Sequence, residues 1–435
     1  MRRVRSSMST AVGITTALLL AACGNGSTDA ASSSTINIGQ LEDQSGNLSL
    51  VGLQKYHAAQ LAVDHLNAAG GLLGKKINLV APDTQSDNTK MQQLARELVI
   101  KDKVPVIFGA QTSAEREAIR PIIDQYKQLY FYTNQYEGGV CDSNTFTTGA
   151  VPEQQVATLI PYLMQHFGKR VYVIAADYNF GHLTSDWVKA ITQASGGSIV
   201  GQEFVPLTQN EFSSSIARIK AAQPDILIPL LVGNDQSSFF PQWASSGIKN
   251  LPMGSTVIVA QGYEHLRFQP PAAANIYVPT NFIKELGDYV PSSKTFVDAF
   301  MKKFPNDPYI DEEAESEYDA IMMWAEAVKK AGTTDQAKVK EILAGGISYN
   351  SPSGTVTIDP KTHAAVRDIY LAHTTETQAI EFPVMWKAVQ PNWLSVVAGC
   401  DLTTKPDQTQ YTPTAQMPAK VTQELTAIPV VKAGS

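Results

Sequence analysis

Short runs rich in β-branched residues alternate with segments of helical periodicity along most of this chain. The run at 35–41 (TINIGQL) precedes a helical segment that starts at about Gly52 and stops at the Gly70-Gly71 pair. A second series of strand-like and helical segments begins near Pro152. Because strands that alternate with helices run parallel and are covered by those helices, the sequence predicts an α/β protein with two lobes, each built on a parallel sheet.

The last third of the chain departs from this alternation. After a strand-like run at 255–261 (STVIVAQ), the sequence predicts two helices, at 293–303 and 313–331. Only strand-like segments follow, namely GTVTID, RDIYLAH and FPVMWKAV. The tail at 401–435 is rich in Thr, Pro and Gln, a composition that predicts loop or disorder.

The start of the chain has the composition of a secretory signal. Three arginines precede an uncharged apolar run that is too short to span a bilayer comfortably. The sequence Leu20-Ala21-Ala22-Cys23 fits the cleavage pattern of lipoproteins, in which the cysteine is acylated. We therefore predict a signal peptide at 1–22, a lipid on Cys23 and a flexible tether at 23–34, so that the protein is held on the outer side of the cell membrane.

Charge and cysteine content narrow the choice of partner and compartment. The chain has 34 basic and 41 acidic residues, a formal charge of −7, and loss of the three arginines of the signal leaves −10. An acidic chain without a basic run predicts no nucleic-acid partner. In an oxidising compartment Cys141 and Cys400 either form a disulfide or remain buried thiols, since the sequence does not give the distance between them.

Polar and aromatic side chains recur where four predicted strands end. Ligands of open α/β sheets bind outside the carboxyl ends of the strands, where free N–H groups of a following helix receive a carbonyl oxygen or a carboxylate. Each residue taken singly has an ordinary explanation as a helix cap, a turn residue or a core aromatic. Their recurrence in both lobes predicts a ligand-binding cleft. The candidates are Gln111, Thr112, Ser113, Tyr132, Asn134, Gln135, Tyr178, Phe180 and Asp235.

Signatures of catalysis or metal binding are missing from the sequence. There is no G-x-S-x-G elbow, no H-E-x-x-H and no paired C-x-x-C, and the seven histidines are scattered. His57 and His65 share a predicted helix but lie two turns apart, which is a poor spacing for a metal pair. The sequence therefore favours a binding protein over an enzyme and predicts neither a metal nor a cofactor.

Several longer motifs carry a family resemblance. The segment at 67–87 (NAAGGLLGKKINLVAPDTQSD) resembles the helix-turn-strand signature of the type I periplasmic binding proteins, which serve ABC importers. Within that family, YTNQYEG, TTGAVPEQQ, ADYNFG and WAEAVKKAGTTDQAKV resemble the urea and short-chain amide branch. The resemblance covers residues from about 35 to 390.

The resemblance implies a ligand shell. Carried over position by position, it falls on Gln111, Ser113, Tyr132, Asn134, Tyr178, Phe180 and Asp235. Relatives tend to carry an aromatic residue at position 111 and a tyrosine at 180, so this pocket lacks one ring and one hydroxyl. The shell also lacks a full positive charge, which disfavours anionic ligands. These departures favour a substrate other than urea itself.

The resemblance also implies a topology and a mechanism. Three crossovers near residues 151, 280 and 354 would divide the chain into a first lobe, 35–150 plus 281–353, and a second lobe, 151–280 plus 354–400. The lobes would close around a small molecule by a hinge motion, and the closed protein would deliver it to a membrane permease.

Two other functions stay open at this point. A branched-chain or other amino acid could bind with its carboxylate at Thr112, Ser113 and the helix N-terminus, and with its ammonium at Asp235 or Glu137. The same fold could also serve as a receptor that senses the ligand and signals to a partner.

Overall fold

The computed structural model describes residues 34–248, 250–405 and 425–432. The first sheet contains β1 (Thr35–Leu41), β2 (Lys76–Val80), β3 (Ile107–Gly109), β4 (Tyr130–Tyr132) and β5 (Thr145–Thr147). The second contains β6 (Arg170–Ala176), β7 (Ser198–Val205), β8 (Ile226–Leu230), β9 (Met253–Gly254), β10 (Ile276–Thr280), β11 (Ser348–Ser351), β12 (Gly354–Ile358), β13 (Ala365–Thr374) and β14 (Ile380–Val389). The helices are α1 (Ser49–Ala68), α2 (Asn88–Ile100), α3 (Ser113–Tyr126), α4 (Pro152–Phe167), α5 (Asn179–Ala194), α6 (Ser213–Ala222), α7 (Asn234–Ser245), α8 (Glu264–Arg267), α9 (Pro291–Lys303), α10 (Glu312–Ala331), α11 (Gln336–Ala344) and α12 (Trp393–Ala398).

The first sheet is entirely parallel, with strand order β2-β1-β3-β4-β5. Successive side chains of a strand point to opposite faces, and the packing follows that rule. Phe108 and Phe131 join the apolar cluster that contains α1, whereas Ile107 and Tyr130 join the cluster that contains α2 and α3. Helices therefore cover both faces, as the alternating sequence predicts.

The second sheet combines parallel and antiparallel strands. Its order is β11-β12-β13-β10-β9-β8-β6-β7, with β14 paired to β13. Strands β6 to β10 pair in parallel, whereas β11 to β14 pair antiparallel, because short turns rather than crossover helices connect them. The predicted α/β fold with two lobes is confirmed, and we call the elements on each sheet the first and second lobe.

Two local predictions are wrong. The segment 255–261 is not a strand, because the Ser255 hydroxyl oxygen accepts hydrogen bonds from the N–H groups of Val257 and Ile258 and turns the chain just after β9. A short, fully buried apolar run has no periodicity that would distinguish the two conformations. Asp235, expected at the end of a strand on the rim of the cleft, instead lies in the first turn of α7, a helix that the sequence did not predict.

Part of the tail predicted as loop or disorder pairs with the second sheet. Ile428 exchanges two backbone hydrogen bonds of 2.8 Å with Met385 of β14. Residues 406–424 lie outside the described residues, as do the predicted signal peptide and Cys23.

Three connections join the lobes, and they follow β5, β10 and α11. The first two fall near the predicted crossovers at 151 and 280. The third connection precedes β11. Because β11 pairs with β12 in the second sheet, the chain enters that sheet before residue 354, near which the third crossover was predicted. The exact lobe boundaries stay a prediction.

The beginning of α10 holds two of the connections and the end of β11 through buried polar contacts. Thr148 Oγ1 donates to the Ser316 carbonyl at 2.9 Å, Asn281 Nδ2 donates to Glu315 at 3.0 Å, and Ser351 Oγ of β11 donates to Glu315 at 2.5 Å. Because α10 packs against α1 of the first lobe, these bonds fix the first two connections and the end of β11 to that lobe.

A disulfide joins Cys141, in the loop between β4 and β5, to Cys400, just after α12, with their Cα atoms 5.9 Å apart. Both residues are buried. Within the described residues, no helix combines the length and the apolar character that a membrane span requires.

Candidate functional site

A small cavity lies between the lobes, at the carboxyl ends of strands from both sheets. The cavity volume, counted as the space open to the centre of a water molecule, is about 20 Å³. A single water needs roughly 10–15 Å³ by that measure. The lining residues are Gln111, Thr112, Ser113, Tyr132, Asn134, Gln135, Tyr178, Phe180, Val232, Val257 and Gln261.

The start of α3 forms one wall of the cavity. Thr112 caps this helix by accepting the Glu115 N–H, and the Glu115 carboxyl accepts the N–H groups of Gln111 and Thr112 at 2.8 Å each. This capping box, which the sequence T-S-A-E encodes locally, occupies two N–H groups that would otherwise be open to an anion. Ser113, the first residue of the helix, donates its hydroxyl proton to Glu137 at 2.5 Å.

The end of β4 forms the neighbouring wall, with Tyr132 and Asn134 close to the cavity. The Arg116 guanidinium lies over the Tyr132 ring, 5.0 Å from its centroid. Burial raises the pKa of Tyr132 well above its ordinary value, although the Arg116 charge opposes the shift, so the phenol stays protonated. Gly149 is required here for close approach, because a Cβ at this position would lie 2.0 Å from the Asn134 carbonyl oxygen.

The second lobe supplies the opposite wall through Tyr178 and Phe180, whose ring centroids lie 5.9 Å apart. Tyr178 immediately precedes α5, and Phe180 lies in its first turn. A Cβ at Gly181 would come within 1.9 Å of the Ala176 carbonyl oxygen, so glycine is what lets this turn pack onto the end of β6. Burial raises the pKa of Tyr178, and the carboxylates of Glu137, Glu115 and Asp235 reinforce the shift.

Three carboxamide oxygens on the cavity wall have no hydrogen-bond partner among the described residues. They are Gln111 Oε1, Asn134 Oδ1 and Gln135 Oε1, and all three are buried. A buried acceptor left without a donor costs about 1 to 3 kcal/mol. These three lining residues therefore have acceptor capacity that N–H or O–H donors would satisfy.

The described lining contains no lysine, arginine or histidine. The nearest arginine, Arg116, is fully buried behind the wall and pairs with Glu137 at 3.0 Å and with Glu117 at 2.9 Å. Burial alone would lower the pKa of Arg116, but the Glu137 carboxylate raises it above its ordinary value. The positive charge of Arg116 is thus already balanced.

The candidates from the sequence fall into two groups. Eight of the nine line this one cavity, whereas Asp235 does not. Asp235 is buried in the first turn of α7, and burial raises its pKa to about 7, opposed by the backbone N–H of Gln209. The sequence did not predict α7, so the Asp235 carboxyl group was expected at the end of a strand, on the rim of the ligand-binding cleft.

Sequence reasoning also missed three lining residues, Val232, Val257 and Gln261. Val232 follows β8 at the same sheet edge as the candidates, so its position could have been found. The other two lie in the segment wrongly predicted as a strand. Among the described residues, no group of three or more His, Cys, Asp and Glu side chains is arranged to hold a metal ion.

Curated relatives were found at low identity. A protein named Leu/Ile/Val-binding protein homolog 7, from Brucella suis, is 23% identical over 351 residues, which cover 77% of this chain and 85% of the relative. The Brucella abortus protein named Leu/Ile/Val-binding protein homolog 6 is 25% identical over 293 residues, covering 66% and 74%.

Solved structures share the fold. A solute-binding protein of an ABC transporter from Rhodopseudomonas palustris, in complex with 3,4-dihydroxybenzoic acid, has a TM-score of 0.71 at 23% identity, covering 82% of this chain and 98% of that one. A branched-chain amino acid transporter substrate-binding protein from Streptococcus pneumoniae, in complex with isoleucine, has a TM-score of 0.68 at 23% identity, covering 80% and 99%.

The family comparison covers most of the chain. The model of the family described as periplasmic binding protein matches residues 35–379, which include the first sheet, β6 to β13 of the second sheet and every residue that lines the cavity. The chain therefore belongs to the periplasmic binding protein family.

Proposed function

We propose that this protein is the extracytoplasmic solute-binding lipoprotein of an ABC transporter, and that it captures a small neutral amide-like or urea-like compound between its lobes. Walls from both lobes surround the cavity, so a hinge motion that separates them would admit the solute, and closure would bury it. The closed protein then presents the solute to a membrane permease. Capture without chemical change is the expected outcome.

The proposal of an amide-like or urea-like ligand rests on the unpartnered oxygens of Gln111, Asn134 and Gln135. An amide or a urea offers two to four N–H donors within a few atoms, which suits a lining with three acceptors that lack partners. Binding of such a solute would recover the free energy that each lone acceptor costs.

The electrostatics favour a neutral ligand over a carboxylate. Glu115 occupies the N–H groups of Gln111 and Thr112, and Arg116 is paired with Glu137. A carboxylate in the cavity would therefore find neither the backbone N–H groups of Gln111 and Thr112 nor the Arg116 charge free to bind it. The amino-acid alternative keeps its support from the names of the relatives and from the isoleucine complex.

The cavity is small in this closed arrangement. A volume of about 20 Å³ holds little more than one water by the measure given above, so a solute of four or more heavy atoms requires the lobes to lie slightly further apart. The best tiny ligands gain about 1.5 kcal/mol per non-hydrogen atom, which limits a four-atom solute to about 6 kcal/mol and a dissociation constant of tens of micromolar. By the resemblance to the urea and short-chain amide branch, Gln111 and Phe180 stand where that branch tends to carry an aromatic residue and a tyrosine, so we expect a somewhat larger amide, carbamate or substituted urea to bind more tightly than urea.

Calorimetry with urea, acetamide, propionamide, butyramide and leucine tests this ligand class. We expect the larger amides to bind more tightly than urea and to be recovered unchanged. Tyr132→Ala should weaken binding of the best amide at least about tenfold, because it removes a wall and a buried hydroxyl. Asp235→Asn should leave binding within about threefold, since Asp235 does not line the cavity. Nanomolar binding of leucine with no binding of any amide would reject the amide class in favour of an amino acid.

The predicted lipid anchor is tested separately. Cys23→Ser removes the only thiol at the end of the apolar run, so we expect the protein to move from the membrane fraction to the soluble fraction. Fractionation followed by immunoblotting measures the shift, and Cys141→Ser is the matched control that should stay membrane-bound. An unchanged membrane fraction for Cys23→Ser would contradict the anchor.

A further inference from the structure

Glu137 lies directly behind the wall that carries Ser113 and does not line the cavity itself. Its side chain is fully buried, and one oxygen accepts the Ser113 hydroxyl at 2.5 Å while the other accepts Arg116 Nη2 at 3.0 Å. Its backbone carbonyl accepts Trp187 Nε1 of α5 at 2.9 Å. Glu137 thus contacts Ser113 of the cavity wall, the buried cation Arg116 and Trp187 of the second lobe.

The first consequence concerns the hydroxyl of Ser113. A serine hydroxyl has one proton, and here that proton is donated to Glu137. The Ser113 oxygen therefore offers only lone pairs to the cavity. This acceptor adds to the three unpartnered carboxamide oxygens on the same surface.

The second consequence concerns the charge of Arg116. Its guanidinium lies over the rings of Tyr132 and Tyr136, 5.0 and 4.9 Å from their centroids, and therefore immediately behind the cavity wall. Glu137 shares full burial with Arg116, whereas Glu117 keeps 29% of its side chain exposed. Without the Glu137 charge, a buried cation behind the wall would attract carboxylates.

We propose that Glu137 is the specificity-determining residue of this site, because it withdraws the Ser113 proton and balances the Arg116 charge so that the cavity selects neutral N–H donors over carboxylates. Glu137 is a positioning residue, since it acts through Ser113 and Arg116 rather than by touching the solute. The inference rests on the proposed function, and it names the residue that makes the site select amides over carboxylates.

The test compares two ligand pairs of nearly equal shape, propionamide with propionate and butyramide with butyrate. In the wild-type protein we expect each amide to bind at least about tenfold more tightly than its carboxylate, the ratio that corresponds to one charge-assisted hydrogen bond. In Glu137→Gln the side-chain oxygen can accept from Arg116 and the amide can donate to Ser113, so the serine proton is free to point into the cavity. The amide-to-carboxylate ratio should then fall at least about tenfold.

Two further variants separate selectivity from folding. Glu153→Gln alters another fully buried glutamate, which accepts the Trp393 N–H and does not line the cavity, and should leave the ratio unchanged. The double variant Arg116→Met/Glu137→Gln removes both charges, and replacing a buried ion pair with neutral groups is often tolerated. Its ratio should lie between those of the wild type and Glu137→Gln. The net charge of the pair behind the wall stays at zero, so only the hydrogen bond of the Ser113 hydroxyl changes.

The outcomes distinguish this inference from the proposed function. A wild-type protein that binds carboxylates more tightly than amides rejects the amide proposal, whatever the variants do. An unchanged ratio in Glu137→Gln with a wild-type melting curve overturns the role of Glu137 and leaves the proposed function standing. If Glu137→Gln does not fold, an unchanged amide-to-carboxylate ratio in the double variant overturns the proposed role of Glu137 equally.

Discussion

Replacing Arg367 by methionine should lower the free energy of unfolding by about 3 to 5 kcal/mol, the cost of breaking a buried ion pair from one side. Arg367 of β13 is buried and pairs with Glu315 at 2.5 Å and with Asp319 at 3.2 Å, both of α10. It also donates to the Thr148 carbonyl at 2.6 Å, where the chain leaves the first sheet. Loss of the guanidinium would leave two buried carboxylates facing each other without a cation.

Urea denaturation monitored by circular dichroism measures this loss. Arg218→Met is the matched control, because Arg218 pairs with Glu203 but keeps 55% of its side chain exposed, and such pairs contribute about 0 to 1 kcal/mol. Adding Glu315→Gln and Asp319→Asn to Arg367→Met should recover part of the stability. A loss for Arg367→Met no larger than that for Arg218→Met would show that the buried pair does not hold the connections together.

Removing the disulfide should have a comparable effect. Cys141 and Cys400 are 259 residues apart in the sequence, so the bond closes a long loop in the unfolded chain. The chain-entropy relation gives about 5.6 kcal/mol for a loop of this length, and measured losses for native disulfides are about 2 to 5 kcal/mol. We expect Cys141→Ser/Cys400→Ser to lose stability within that measured range.

Thermal unfolding with and without reductant provides the measurement. Reductant should destabilise the wild-type protein and leave the double variant unaffected, which separates the bond from the serine substitutions. Equal stability of the oxidised wild type and the double variant would contradict the prediction. Binding of the best amide should persist in the variant, because neither cysteine lines the cavity.

Local patterns in the sequence were sufficient for much of the architecture. The alternation of strands and helices predicted the parallel first sheet and the parallel part of the second. Local caps act in the same way, since α2 begins at Asn88 directly after Asp87, whose side chain accepts the N–H groups of Thr89 and Lys90. Failures came where local signals are ambiguous. The apolar run at 255–261 has no period, and α7 begins at Asn234, a residue type common in turns.

The sequence by itself determined which residues stand at the ends of the strands, and eight of the nine candidates line one cavity for that reason. Only the tertiary structure decided which polar atoms in that cavity have partners. Ser113 and Glu137 are 24 residues apart, and Arg367 and Glu315 are 52 apart. Periodicity reports the burial of each side chain within its own helix or strand. Hydrogen bonds and ion pairs between distant segments depend on how those segments pack, and in this protein such contacts set the charge and the hydrogen-bonding character of the site.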